Sequence, residues 1–395
     1  MAFFSQTLPI FMRQQGASLE TIGAFGLLGL PWMLKFLWSP FIDRFSLNRV
    51  GKASPLENRH YGTWILFFQI LLAGCVAISG LLDVRQNLPI LMGFVLLACF
   101  CSASQDIATD ALAVRMLVGS ERAWGSTIQT AGNYLGSFIG AGGVLILLDR
   151  IGWRSSLLTI AGVVLLAGIP LLRHKEHKIV TVDVKPSWRS IISFCRRDRM
   201  IFWMVFVVLY SLGSNMTGAM MRTLLVDLKF SLTDIGQING LVGCSAGIIG
   251  SLIGGAIVSK LGVQRSLFWF GIFQGVAVLA CLPLVRGNVN LTLAYATNFS
   301  LLFFGSMCDM AIATVMLEKS ELATAGTDYT IQTSLIYLSV ILSMLLAGSL
   351  SEHLGYEGML FVAFGLCLLS IILVKKWRVG GKTHNSDRLY LMGGK

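Results

Sequence analysis

Eleven stretches of about twenty residues, each nearly free of charge and separated by short polar segments, dominate this chain. A helix needs about 20 apolar residues to cross the ~30 Å hydrocarbon core of a bilayer. Only helices and closed barrels satisfy their backbone polar groups there. The stretches cover residues 20–42, 61–82, 88–113, 123–148, 152–172, 201–222, 235–258, 266–285, 291–317, 329–350 and 357–374, and a shorter apolar fragment covers Met1–Met12. Soluble domains are about 25% charged, whereas this chain is 13% charged with a mean hydropathy of +0.73. A water-soluble fold is excluded, and an all-α membrane protein of about 12 transmembrane helices is expected.

The net charge of +11 follows topology and does not call for nucleic acid. Sorted by alternate loops, 23 of the 31 Lys and Arg fall on one side and seven on the other, with Lys35 left inside a span. Such an excess marks the cytoplasmic face. It places the 173–200 loop and the C-terminus in the cytoplasm of a multi-pass protein of the bacterial inner membrane.

Self-comparison shows two repeats. Ser126–Thr130 reads STIQT, and 203 residues on, Tyr329–Thr333 reads YTIQT; at the same offset Tyr134 meets Tyr337, Asp106 meets Asp309 and LLDRIGW (147–153) meets LSEHLGY (350–356). SLETIG (18–23) matches SLTDIG (231–236) at an offset of 213, so the first repeat carries extra residues in the 43–60 loop. The expected organisation is an N-terminal bundle (1–172), a linker (173–200), a C-terminal bundle (201–375) and a tail (376–395). Parallel six-helix repeats of this kind enclose a central cavity in transporters. About 30 residues precede Ser231 within its span but 17 precede Ser18, so the natural first helix is expected to start upstream of Met1.

Charge inside a span costs at least ~2.5 kcal/mol and marks pathways. The in-span charges are Lys35, Asp106, Asp110 and Asp309. Asp106 and Asp110 are four apart and share a helix face. Counting from Arg115 puts Asp106 about 13 Å inside and Asp110 about 8 Å inside. Asp110 therefore reads either as a group reaching interfacial water or as a functional acid. Asp106 and Asp309 read as proton-coupling acids or as structural hydrogen-bonding groups. Lys35, counted along one helix, lies about 12 Å below the boundary, where its stem can snorkel. Asp43 and Arg44 open the basic loop, with Ser259-Lys260 as a weaker echo. Lys35, Asp43, Arg44 and Arg115 are the expected gate.

Gln129 and Gln332, at one level in the two repeats, serve either as interhelical glue or in transport, with Asn133, Tyr134 and Tyr337 above them. Trp32, Asn215, Tyr295 and Asn298 are further candidate cavity-lining residues. Gly132, Gly136 and Gly140, and Gly247, Ser251 and Gly255, form small-residue stripes of the kind that let helices approach closely. No phosphate-binding glycine loop followed by Lys is present, the five His lie in loops or the tail, and the eight Cys have no metal-ligand spacing. Neither an enzyme, nor a cofactor, nor a metal centre is expected.

The two six-helix halves, the basic central linker and the Asp-Arg pair resemble the major facilitator superfamily along nearly the whole chain. SLETIGAFGLLGLPWMLKFLWSPFIDR (18–44) and QDIATDALAVR (105–115) are similar to its branch of muropeptide permeases, acetyl-CoA transporters and rhizobactin- and pyochelin-type siderophore permeases. The motif residues are Lys35, Trp38, Pro40, Asp43, Arg44, Gln105, Asp106 and Asp110. Muropeptide permeases usually carry two additional helices, so the compact chain leans toward the siderophore members. The resemblance implies a monomeric, proton-coupled importer working by alternating access on a small solute, a ferric siderophore first. A muropeptide or other peptide-like metabolite is the alternative, and a non-transporting receptor on a carrier fold is a third reading.

Overall fold

A computed structural model of the chain describes residues 28–45, 60–83, 87–173 and 187–376. The expectations for Met1–Met12, for SLETIG, for most of the 43–60 loop and for the tail beyond Lys376 lie outside the described residues. Among those described, every regular element is helical, as the apolar periodicity requires. In chain order the helices are α1 (Leu30–Leu34), α2 (Ser39–Arg44), α3 (His60–Leu81), α4 (Leu88–Met116), α5 (Glu121–Phe138), α6 (Val144–Ala167), α7 (Ile169–Arg173) and α8 (Trp188–Arg196). They continue with α9 (Met200–Asp227), α10 (Leu232–Gly236), α11 (Gly243–Leu261), α12 (Val263–Leu279), α13 (Leu282–Val285), α14 (Leu291–Lys319) and α15 (Ala325–Lys376).

Eight described stretches are long and apolar enough to cross a membrane. The last, Leu322–Lys376, holds two of the expected spans, because the helix breaks at Gly355 with φ 70° and ψ 172°. Gly152 breaks α6 in the same way, with φ 75° and ψ 177°. The two glycines are 203 residues apart, the repeat offset, and a residue with a Cβ adopts such a backbone only under strain. The expected span 123–148 is not among these eight. It is helical nonetheless, as α5, a π-helical turn at Ile139–Gly143 and the start of α6.

One expectation needs correction. Residues 30–44 do not form a single helix, because a 3-10 turn at Lys35–Leu37 separates α1 from α2. Pro40 explains the break: it lacks the N–H that would bond the carbonyl of Phe36, and its ring crowds that carbonyl. The Ser39 hydroxyl donates to Phe36 O instead, at 3.1 Å.

The chain divides into two compact units. The first holds Met1–Arg115, Gly136–Arg197 and Lys319–Ser334. Within it α3 packs along α6: the Trp153 indole donates to Ser79 O at 3.1 Å, Gln69 donates to Val164 O, and Gly80 lets Leu157 approach. The second holds Met116–Leu135, Asp198–Glu318 and Leu335–Lys395. Its apolar core includes Met216, Leu225, Ile238, Val278, Leu284 and Ala294, and the Ser339 and Ser343 hydroxyls donate to Val208 O and Leu212 O.

Inside this second unit the stripe of Gly247 and Gly255 is a packing surface, as expected. A Cβ at Gly247 would stand 2.4 Å from the Tyr134 ring, and one at Gly255 would stand 1.9 Å from Thr127 Oγ1. Gly132 and Gly136 differ: both face open space, so the first stripe is not a close helix contact there.

Candidate functional site

The broken helix brings Lys35 to two acids on α4. Its Nζ pairs with Asp106 Oδ2 and lies 3.6 Å from Asp110 Oδ2, all within the first unit. The Lys35 side chain is fully buried and does not snorkel. The two acids also exchange the roles expected from depth. Asp110 is 2% exposed and Asp106 is 37% exposed, although the two share one face of α4. Tyr329, buried at the head of the repeated YTIQT segment, lies within electrostatic reach of both carboxylates. On the next turns the Trp38 indole donates to Ser104 Oγ at 3.0 Å, and Gln105 donates to Gln69 Oε1 at 3.4 Å.

Asp309 occupies the equivalent place in the second unit, on α14. Its side chain is exposed although it sits in mid-span, and it makes no ion pair among the described residues. The offset of the SLETIG match puts Ile248 where the first repeat has Lys35. The paired acids are thus chemically unequal: one is paired with a buried cation and the other has no ion pair among the described residues. Tyr134 and Tyr210 are its neighbours within electrostatic reach.

Asp43 forms a second constellation, also inside the first unit. Its Oδ1 accepts the Tyr61 hydroxyl at 2.7 Å and the Gly326 N–H at 3.0 Å, and its Oδ2 accepts the Thr327 N–H and hydroxyl, both at 2.7 Å. Gly326 and Thr327 are in the first turn of α15, whose N–H groups have no partner within their own helix. Asp43, from the first repeat, thus caps a second-repeat helix, and its charge opposes the positive end of the helix dipole. Arg115 stacks 4.6 Å over the Tyr61 ring and donates to Leu322 O at 3.1 Å. From the linker, Arg197 pairs with Asp328 at 2.6 Å and with Glu321 at 3.2 Å.

Sequence reasoning named Asp43 and Arg115 but missed Tyr61, Thr327, Asp328 and Arg197. Arg197 belongs to the basic linker, whose charge reads from the sequence as an orientation signal. Arg44 is exposed over the Phe45 ring, 5.5 Å from its centroid, and stands apart from this clasp.

The other expected lining residues divide by exposure. Asn133 is exposed, and Gln129, Tyr134, Asn215 and Tyr337 are half-buried. Tyr295 donates to Gln237 Oε1 at 2.9 Å. Gln332 is fully buried and donates to Asp328 O at 3.0 Å and Ser320 Oγ at 3.3 Å. Asn298 is buried and donates to Ile238 O at 2.6 Å, and Trp32 is buried. In this conformation Gln332, Asn298 and Trp32 face the protein interior. Among the described residues no group of His, Cys, Asp and Glu is arranged to hold a metal ion.

A family model described as Major Facilitator Superfamily matches residues 1–327, and a second match covers 207–388. The anhydromuropeptide permease of Escherichia coli K12 is 27% identical over 380 residues, covering 95% of this chain and 76% of that protein. Putative transporter AmpG 3 of Rickettsia prowazekii is 27% identical over 388 residues, covering 93% of this chain and 89% of that protein. Among solved structures, a bacterial homologue of the iron transporter ferroportin in its outward-facing state superposes with a TM-score of 0.65 at 17% identity, over 90% of both chains. The transporter FucP in its outward conformation gives 0.66 at 12% identity, over 95% of this chain and 96% of that one. At these identities the structural likeness is one of fold.

Proposed function

From the premise that this chain belongs to the Major Facilitator Superfamily, and is a multi-pass membrane transporter and not an enzyme, we propose that it imports an anhydromuropeptide-like solute, a sugar bearing a peptide, by proton-coupled alternating access. The substrate class rests on relatives bearing that name or the related transporter name across more than nine-tenths of this chain. Chain length had favoured a ferric siderophore. That argument loses its force, because the Rickettsia protein is matched over 89% of its own length by this compact chain.

The single observation that carries the coupling is the Lys35–Asp106–Asp110 cluster, in which Lys35 and Asp110 are buried and Asp106 is accessible. Two carboxylates and one ammonium leave one uncompensated negative charge, and one bound proton balances it. Asp106, the accessible member, is positioned to take that proton, with Lys35 falling back on Asp110. Asp309 supplies a second accessible acid for the solute or for a proton. Gln129, Asn133, Tyr134, Asn215 and Tyr337 are proposed to contact the solute, with Trp32, Tyr295, Asn298 and Gln332 entering when their present contacts open. The Asp43 cap, with Arg115 and Arg197, is the cytoplasmic gate in its closed form, and switching releases the first turn of α15. The side bearing the linker and the C-terminus is the cytoplasm of a bacterial cell, and the working unit is a monomer.

The test is complementation in a strain lacking the protein, scored by cell-wall turnover products retained in the cytoplasm. Wild type is expected to restore retention, whereas Asp106→Asn and Asp309→Asn fail at normal membrane abundance. Full retention by both variants contradicts the coupling, and unchanged turnover products with a changed response to iron limitation contradict the substrate class.

A further inference from the structure

The linker helix α8, WRSIISFCR, has work on both of its faces. It starts at a reciprocal cap, in which the Ser187 N–H donates to Ser190 Oγ at 3.1 Å. Phe194 is fully buried beneath the Arg197 guanidinium, 5.1 Å from its ring centroid, and this fixes the helix to the first unit. At 100° per residue, Trp188, Ile192, Arg196 and Arg189 fall in order across the opposite face. All four are exposed, Trp188 at 61% and Ile192 at 55%.

A tryptophan and an isoleucine side by side on a loop helix would be unfavourable in water. They are what an interfacial helix presents to the headgroup boundary, where tryptophan concentrates and basic residues flank the apolar edge. The membrane span α9 begins at Met200, three residues after Arg197, so the face lies within reach of the bilayer surface. The charge on it is of one sign. Arg189 and Arg196 have no ion pair among the described residues, Arg197 is engaged by Asp328 and Glu321, and Asp198 lies 4.0 Å from Arg199. Acidic phospholipid is the partner that satisfies both the cations and the apolar pair.

We propose that the Trp188–Arg196 face is a docking surface for anionic phospholipid headgroups of the leaflet on the linker's side. Trp188 and Ile192 seat at the acyl boundary, and Arg189 and Arg196 hold the phosphates. This is independent of the transported solute.

The test uses the full-length protein in nanodiscs holding equal fractions of phosphatidylglycerol and phosphatidylcholine, with bromine on the acyl chains of one lipid or the other. The fluorescence difference between wild type and Trp188→Phe isolates Trp188 from the other tryptophans. Quenching of that component by brominated phosphatidylglycerol is expected to exceed quenching by brominated phosphatidylcholine at least twofold. Arg189→Gln with Arg196→Gln should bring the two to equality, since each basic residue near an acidic surface contributes about a fivefold preference. Equal quenching by both lipids in the wild type, or none by either, overturns the proposal. Because no solute is present, a wrong substrate assignment leaves this result untouched.

Discussion

At the scale of single residues, the strongest commitment in the molecule is the burial of Lys35. Removing one member of a buried ion pair typically costs ~3–5 kcal/mol, because the partner charge stays behind without compensation. Lys35→Met is therefore expected to lower the thermal midpoint of the purified protein by several degrees, and Lys35→Met with Asp110→Asn should recover part of that loss. If the double variant were less stable than the single, Lys35 and Asp110 would not be energetically coupled. Lys35, Asp106 and Asp110 were all legible in the sequence as in-span charges, and the even spacing of the two acids was read correctly. Their partnership was not legible. It depends on the turn at Lys35–Leu37, which hydropathy does not register and which only the missing N–H of Pro40 explains. That Asp309 has no ion pair among the described residues was latent in the repeat, through Ile248 opposite Lys35, once the 213-residue offset was carried to that position.

At the scale of elements, the clasp turns on the first turn of α15. Asp43 supplies a charged cap with four hydrogen bonds, and hydrogen bonds to a charged group contribute about 1.5–3 kcal/mol. Asp43→Asn is expected to speed amide exchange of the 322–330 segment about tenfold with the rest of α15 unchanged; an unaltered rate would mean that the cap does not hold this end. Gly326→Ala should act in the same direction by a different route, since its Cβ would lie 2.5 Å from Asp43 Oδ1. Arg197→Gln removes the cation from Asp328, which is fully buried, and should likewise raise exchange there. The same measurement checks all three, and the ordering of wild type below each variant is the expected result. The sequence carried half of this element. Asp43 and Arg115 stood out by motif, whereas Gly326, Thr327 and Asp328 precede the conspicuous YTIQT and are ordinary helix-start residues: the first two reveal their role only when Asp43, 283 and 284 positions away, reaches them, and Asp328 only when Arg197 does.

At the scale of the whole molecule, the repeat offset was the most informative feature of the sequence, because it fixed the equivalence of Gly152 and Gly355 and of Asp106 and Asp309 before any geometry was known. The solute was the least legible feature. The side chains proposed to meet it are polar groups such as Gln129, Asn133 and Tyr337, whose types recur in interhelical hydrogen bonds, and chain length proved no guide. The central claim is proton-driven import of an anhydromuropeptide, and purified protein in liposomes tests it most directly. Radiolabelled anhydromuropeptide is supplied on one side with an imposed pH gradient, with and without a protonophore. The account predicts accumulation that the protonophore collapses and that Asp106→Asn abolishes. Absence of accumulation by folded protein under the same gradient, with an iron-loaded siderophore accumulating in its place, would contradict it.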